Sequence, residues 1–194
     1  MTRQKLSEKQ ILILSMVGEF NEFENEGLSG KRINELILER KVRVWTKISF
    51  SNVYYILDRL ESLGYIYWLS SPQKDKAVGA PEKIYYLTNK GKIGLRRVAL
   101  NLLRGKALTT LELDLGLAAS YVLSKDKVLK ALKQHHGKLK QRFEILVQGY
   151  ERQGGDRLHY QAWGVINHHK YIIESRLKLL SLLILRLEKD LNSK

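Results

Sequence analysis

From Ser49 to Ile66 the chain reads S-F-S-N-V-Y-Y-I-L-D-R-L-E-S-L-G-Y-I. Val53, Ile56, Leu57, Leu60 and Leu63 recur at three- and four-residue spacings, the period of a single buried helix stripe. The spacing predicts a helix that starts near Ser49 or Ser51, where a hydroxyl can cap the first turn. It ends at Gly64, which suits a left-handed C-terminal cap. After Gly64 the period switches. YIYWLS, Tyr65 to Ser70, is rich in β-branched and aromatic residues. SPQKDKAVGAP is polar and holds both prolines of the chain, and KIYYLT, Lys83 to Thr88, returns as a second strand.

Upstream, Ser7 and Gln10 make a capping-box pattern ahead of Ile11, Leu12, Leu14 and Val17. They predict a helix from Glu8 to about Phe20, interrupted by Gly18 and the acidic stretch EFNEFENEG. Ser29 can cap a second helix, with Ile33, Leu36 and Ile37 on one face and an end near Arg40. Three helices followed by a hairpin with a basic tip is the order of a winged helix. Thr88 then caps a fourth helix through Leu95, Val98, Ala99 and Leu102.

The second half has no strand signal. RGKALTT reads as a joint, followed by a short apolar helix from about Leu111 to Leu123. A long helix capped by Ser124 runs to about Gln153, with Val128, Leu132, Leu139, Phe143, Leu146 and Tyr150 on one side. GGD breaks it. From Arg157 to Leu191 a last helix carries Ile166, Ile173, Leu177, Leu180, Ile184, Leu187 and Leu191 at spacings of three, four or seven. A seam this long is expected to pack against a second copy of the chain, the alternative being a helical hairpin within one chain. The expected fold class is therefore mainly α with a small β-hairpin wing. A winged helix-turn-helix DNA-binding domain would span residues 1–104 and a helical dimerisation domain residues 105–194.

Composition bounds what such a chain can do. Its 194 residues include 34 Lys plus Arg against 20 Asp plus Glu, a formal net charge of +14, and no cysteine. Without cysteine there is no disulfide scaffold, thiol nucleophile or Cys-ligated zinc, and a reducing, cytoplasmic compartment is expected. The basic excess favours polyanionic partners. It is spread, with 17 basic and 11 acidic residues up to Arg97 and 17 and 9 beyond it, so a folded surface rather than a cationic tail must concentrate it. No membrane partner is expected, because the most apolar stretch, Leu177 to Leu187, is too short to span a bilayer and holds Lys178 and Arg186.

A recognition helix buries one stripe and offers its other face and N-terminal end to the major groove. On the third helix Ser49, Ser51, Asn52 and Tyr55 fall outside the buried stripe, with Tyr54 at its border. Short hydroxyls and an amide there suit phosphate oxygens and base edges. Arg59 lies further along and reads as a solvated charge. Lys74 and Lys76 in the hairpin tip and Lys83 on the returning strand would reach the phosphate backbone. So would Lys31 and Arg32 on the second helix, and Arg43 and Lys47 before the third.

Two segments carry a family resemblance. Ser49 to Ile66 resembles the recognition helix of PadR-type transcriptional regulators, written S-x-G-[ST]-[IV]-Y-x-x-L-x-R-L-E-x-x-G-L-I. Gly79 to Gly91, G-A-P-E-K-I-Y-Y-L-T-N-K-G, is similar to that family's G-x-P-x-K-x-Y-x-L-T-x-x-G. The long C-terminal helices are similar to the dimerisation region of its longer members. The resemblance implies that Tyr54 contacts the DNA backbone and Asn52 lies in the groove-facing turn. It also implies a homodimeric regulator of a pseudo-palindromic double-stranded operator, repression being the favoured mode. Ser51 stands where the family usually has Gly, Tyr55 where Pro is frequent, and Ala80 and Glu82 where the wing is often basic.

No GxGxxG, P-loop, HExxH or GxSxG segment occurs, so an enzyme, a metal or a cofactor is not expected. The five histidines, His135, His136, His159, His168 and His169, form no i, i+4 chelate. Phe143, Tyr150, Tyr160 and Trp163 could wall a pocket for a small-molecule effector, although aromatics at helical spacing more often form core. A helical protein-interaction module or a ligand-binding protein is the alternative reading.

Overall fold

The computed structural model describes residues 6–44, 46–71, 81–105 and 110–193. It divides into two units, Met1–Leu102 with Ala107–Leu123, and Leu103–Lys106 with Ser124–Lys194. The expected boundary after residue 104 thus meets a different division, in which the short helix after the joint belongs with the N-terminal unit.

In the first unit α1 (Glu8–Phe23), α2 (Gly30–Glu39) and α3 (Phe50–Ser62) precede a sheet of β1 (Leu28–Ser29), β2 (Ile66–Ser70) and β3 (Lys83–Leu87). The unit closes with α4 (Asn89–Leu103), whose last residue is counted with the second unit, and α5 (Thr110–Ala118). The strands run in the order β1-β3-β2, all antiparallel, with Trp68 opposite Tyr85 and Leu28 also opposite Tyr85. Ile13, Leu14, Ile33, Ile37, Leu57, Leu60 and Leu95 are fully buried in one core. Each such side chain contributes roughly 1.5–3 kcal/mol of transfer free energy.

Local signals account for most of these elements. Ser7 Oγ accepts from the Gln10 N–H, and Gln10 Oε1 accepts from the Ser7 N–H, a complete capping box. Ser29 Oγ accepts from the Arg32 N–H to start α2, and Gly64 at φ +71° ends α3. Some bounds differ from expectation: α5 ends at Ala118 instead of about Leu123, and the last helix starts at Tyr160 instead of Arg157. Helix α1 runs through Gly18 to Phe23 instead of stopping near Phe20. A Cβ on Gly18 would lie 2.5 Å from Tyr121 Oη and 2.7 Å from Leu87 Cδ1, so this glycine permits close packing and is no helix breaker. The same contact explains the placement of α5. Ser15 Oγ donates to the Ala118 carbonyl at 3.0 Å, and Tyr121 Oη donates to the Ser15 carbonyl at 2.7 Å. Burial is the main force pushing the Tyr121 hydroxyl far above the usual phenol range, so it remains a neutral donor.

In the second unit α6 (Lys125–Arg152) and α7 (Tyr160–Asn192) form an antiparallel hairpin. Lys125 pairs with Asp190 and Lys133 with Glu188 across it, while His136 Nε2 lies 3.1 Å from Ser181 Oγ. The reversal uses Gly154 at φ +106° and Gly155 at φ +57°. Tyr150 and Trp163 both donate to Asp156 Oδ1, clasping the turn, and Lys170 Nζ lies 4.5 Å from the Tyr150 ring centroid. These bonds hold the Asp156 carboxyl below the usual carboxylate range, with Tyr150 the larger influence. His135 is buried against Gly105, whose Cβ, if present, would fall 2.3 Å from the imidazole. No described helix is long and apolar enough to cross a membrane.

Candidate nucleic-acid interface

In the motif that links wing to helix, Thr88 and Gly91 hold structural places. Thr88 Oγ1 donates to the Gly64 and Tyr65 carbonyls at 2.7 and 3.1 Å and accepts from the Gly91 N–H at 3.0 Å. It thereby ties the end of α3 to the start of α4. Gly91 is required by approach distance, since a Cβ there would lie 2.1 Å from the Tyr65 carbonyl oxygen. The two segments quoted from the sequence thus meet at one junction.

That junction sets how α3 is presented. Val53, Ile56, Leu57 and Leu60 are buried, which turns Ser51, Tyr55, Asp58 and Arg59 outward. Beneath the helix Tyr85 is buried in β3. Burial, then the carboxylates of Asp58 and Glu61, push its hydroxyl up to about 12. Glu61 accepts from Trp68 Nε1 at 3.0 Å, and Lys83 Nζ sits 4.7 Å from the Trp68 ring centroid, so strand β2 is braced against α3.

Around the N-terminus of α3 the candidate residues divide. Ser49 is its N-cap and Ser51 Oγ lies 3.2 Å from Ser49 Oγ, both exposed. Asn52 turns its carboxamide back into the cap: Oδ1 accepts from the Ser49 N–H at 3.3 Å and from Lys9 Nζ at 3.2 Å. Tyr54 is 45 % exposed and seats its ring on Gly30, where a Cβ would come within 2.7 Å of Cε1. Tyr55 points freely outward. Lys31 and Lys47 are exposed, and Lys47 shares the rim of one hollow with Lys9. Arg32 is engaged elsewhere, its guanidinium held by Glu39 at 2.7 and 3.3 Å and by Glu35 at 3.1 Å. These bonds, that to Glu39 foremost, raise its already high pKa. Lys83 begins β3 as expected, while Lys74 and Lys76 lie outside the described residues.

Two residues beside this turn escape sequence reasoning. Lys9, on α1, reaches α3 only through tertiary packing. Phe50, the first residue of α3, is 57 % exposed with its ring 6.1 Å from that of Tyr54. Its exposure is legible only once Ser49 is known to be the cap.

The residues expected at a dimer seam occupy one side of α7. Ile173 and Leu180 are already buried within the single chain, whereas Ile166, Leu177, Ile184 and Leu187 are half-buried. Another side of α7 carries Val165, Ile172, Leu179 and Leu182, all exposed. Among the described residues no group of three or more His, Asp or Glu side chains could hold a metal ion.

Helices α1 to α3 with a hairpin sheet braced against α3 make the N-terminal unit a winged helix-turn-helix. No family model and no curated protein matches the chain. Among solved structures it is similar to Bacillus subtilis PadR in complex with operator DNA, at 20 % identity over 96 % of this chain and 99 % of that one, with a TM-score of 0.42. It is also similar to the PadR-like transcriptional regulator BC1756 from Bacillus cereus, at 16 % identity over 100 % and 99 % with a TM-score of 0.40. Bacillus subtilis PadR in complex with p-coumaric acid matches at 18 % identity over 94 % and 99 %, with a TM-score of 0.38.

Proposed function

We propose that this chain is a homodimeric, sequence-specific DNA-binding transcriptional regulator of the PadR type, acting as a repressor that an effector relieves. The observation that carries the reading is α3 itself. Its outward face and its Ser49 and Ser51 hydroxyls are exposed, it is braced from behind by a hairpin wing, and cationic Lys9, Lys31 and Lys47 lie on the same unit. Ser49, Ser51 and Tyr54 would meet phosphates, and Tyr55 a base edge. Asn52 would order the turn and offer its remaining N–H groups, while Lys83 and the wing lysines Lys74 and Lys76 would follow the backbone.

Self-association would run through α7. Its exposed Val165, Ile172, Leu179 and Leu182 would join the half-buried Leu177, Ile184 and Leu187, so that two copies read the halves of a pseudo-palindrome in successive major grooves. For the effector, a hollow of about 330 Å³ in the first unit is lined by Leu12, Met16, Val42, Leu117 and Tyr121, a size that suits a small organic molecule.

The test is retention of a duplex from the protein's own promoter region. Asn52→Ala and Tyr54→Ala should each weaken it by about tenfold or more while light scattering still reports the dimer. Unchanged retention by both variants would remove α3 from the interface and with it the proposal.

A further inference from the structure

The chemistry of α3 restricts which bases it can read. From Phe50 to Asp58 the helix carries no Lys or Arg, and the first cation is Arg59, in its last turn. Guanine offers two acceptors in the major groove, which an Arg or Lys side chain matches; no such cation stands in the first two turns of α3, whose donors are the single hydroxyls of Ser51, Tyr54 and Tyr55 and the Asn52 amide. Adenine is matched by the carboxamide of Asn, accepting and donating at once. Here the Asn52 Oδ1 already accepts from Ser49 and Lys9, so that pairing would cost the cap.

The largest exposed surfaces of the same turns are aromatic. Tyr55 stands on the outward face, 72 % exposed, while Phe50, 57 % exposed, opens the first turn on the side of Tyr54, its ring 6.1 Å from that one. The phenyl ring of Phe50, and the ring of Tyr55 apart from its hydroxyl, have no hydrogen bond to give. The one base-edge group such rings complement in the major groove is the 5-methyl of thymine.

We infer that Phe50 and Tyr55 read thymine 5-methyl groups in each half of the operator, so that the half-site is specified by T·A pairs under the first two turns of α3. This rests on the DNA-binding reading above. Phe50 becomes a specificity residue although it has no polar atom in its side chain. Asp58, on the same outward face one turn further on, repels phosphates and keeps the C-terminal half of the helix out of the groove.

The experiment uses the full chain and a duplex that the protein itself enriches from a random-sequence pool. That duplex is then made with deoxyuridine in place of thymidine, which removes only the methyl groups. Wild-type affinity should fall about fourfold for each contacted methyl, the equivalent of one buried methylene. The doubly substituted Phe50→Ala/Tyr55→Ala protein should bind the two duplexes alike, while Tyr55→Phe keeps the wild-type discrimination. Both aromatics are exposed, and unchanged circular dichroism melts will show that the variants fold. If no duplex is enriched, the DNA-binding reading itself fails. If a duplex is enriched but wild type binds its uracil form equally well, the thymine inference is overturned and the regulator stands. Equal uracil sensitivity in wild type and the double variant would overturn it too, by assigning the methyls to other contacts or to DNA shape.

Discussion

Gly91→Ala and Gly137→Ala place the same methyl group on two helices and should move stability in opposite directions. On α4 the new Cβ would sit 2.1 Å from the Tyr65 carbonyl oxygen and 3.3 Å from Leu87 Cδ2. Carbonyl and helix must separate by about 1 Å, and that carbonyl is the acceptor for the Thr88 N–H at 3.0 Å and for its hydroxyl at 3.1 Å. Overpacking of this kind costs about 1–3 kcal/mol and a weakened hydrogen bond about 1 kcal/mol, against a gain of about 1 kcal/mol in helix propensity. The net is a loss of about 2 kcal/mol. On α6 a Cβ at Gly137 meets nothing within 4 Å, so only the propensity gain of about 0.5–1 kcal/mol applies. Urea denaturation followed by far-UV circular dichroism separates the two, since a loss of 2 kcal/mol lowers the midpoint by about 1 M. If Gly91→Ala unfolds with the wild type, or Gly137→Ala costs as much, glycine's role at the wing junction has been misassigned.

The other outcomes follow from single contacts. Gly30→Ala should displace the Tyr54 ring and weaken binding to the enriched duplex by about tenfold, the worth of one phosphate hydrogen bond, without a matching loss of stability. An unchanged Kd would show that Tyr54 makes no such bond. Lys83→Ala should lower the salt dependence of binding by about one unit of slope per site, and Arg32→Ala by less, because Glu35 and Glu39 already neutralise that guanidinium. Burial first, then the charge of Arg176, and more weakly those of Lys138 and Arg142, lower the His135 pKa against a backbone hydrogen bond at Leu103 that raises it. The unfolded chain therefore takes up the proton first. Stability should be complete above the ordinary value near 6.5 and fall as pH drops below it, a dependence that His135→Leu should remove in melts at successive pH values. Light scattering should give twice the 22.5 kDa of one chain, and Leu179→Lys with Leu182→Lys should halve it while the helical signal persists.

How much of this could be read from the sequence depends on the range of each interaction. Helix α3, its cap at Ser49, its stop at Gly64 and the return strand from Lys83 follow from contacts a few residues apart. They stand where the periodicity puts them. Gly18 was expected to break a helix because its reason for being glycine, Tyr121, lies more than a hundred residues away. Strand β1 is two residues long and carries no periodic signal. The placement of α5 depends on Ser15 and Tyr121 meeting. Helix α7 has apolar residues on more than one side, and the period that singles out Ile173 and Leu180 cannot tell which side α6 will cover. At the candidate interface the residue types were legible but their engagements were not. Asn52 turned inward to Lys9 and Arg32 tied to Glu39 are tertiary facts.

The most direct test of a DNA-reading winged helix is a fluorescence-anisotropy titration of the enriched duplex over a series of salt concentrations. Contacts from Lys9, Lys31, Lys47 and Lys83 in each of two copies predict a steep linear fall of log affinity with log salt, with a slope magnitude of about 5 or more. Binding that is absent, or indifferent to salt, would contradict the account.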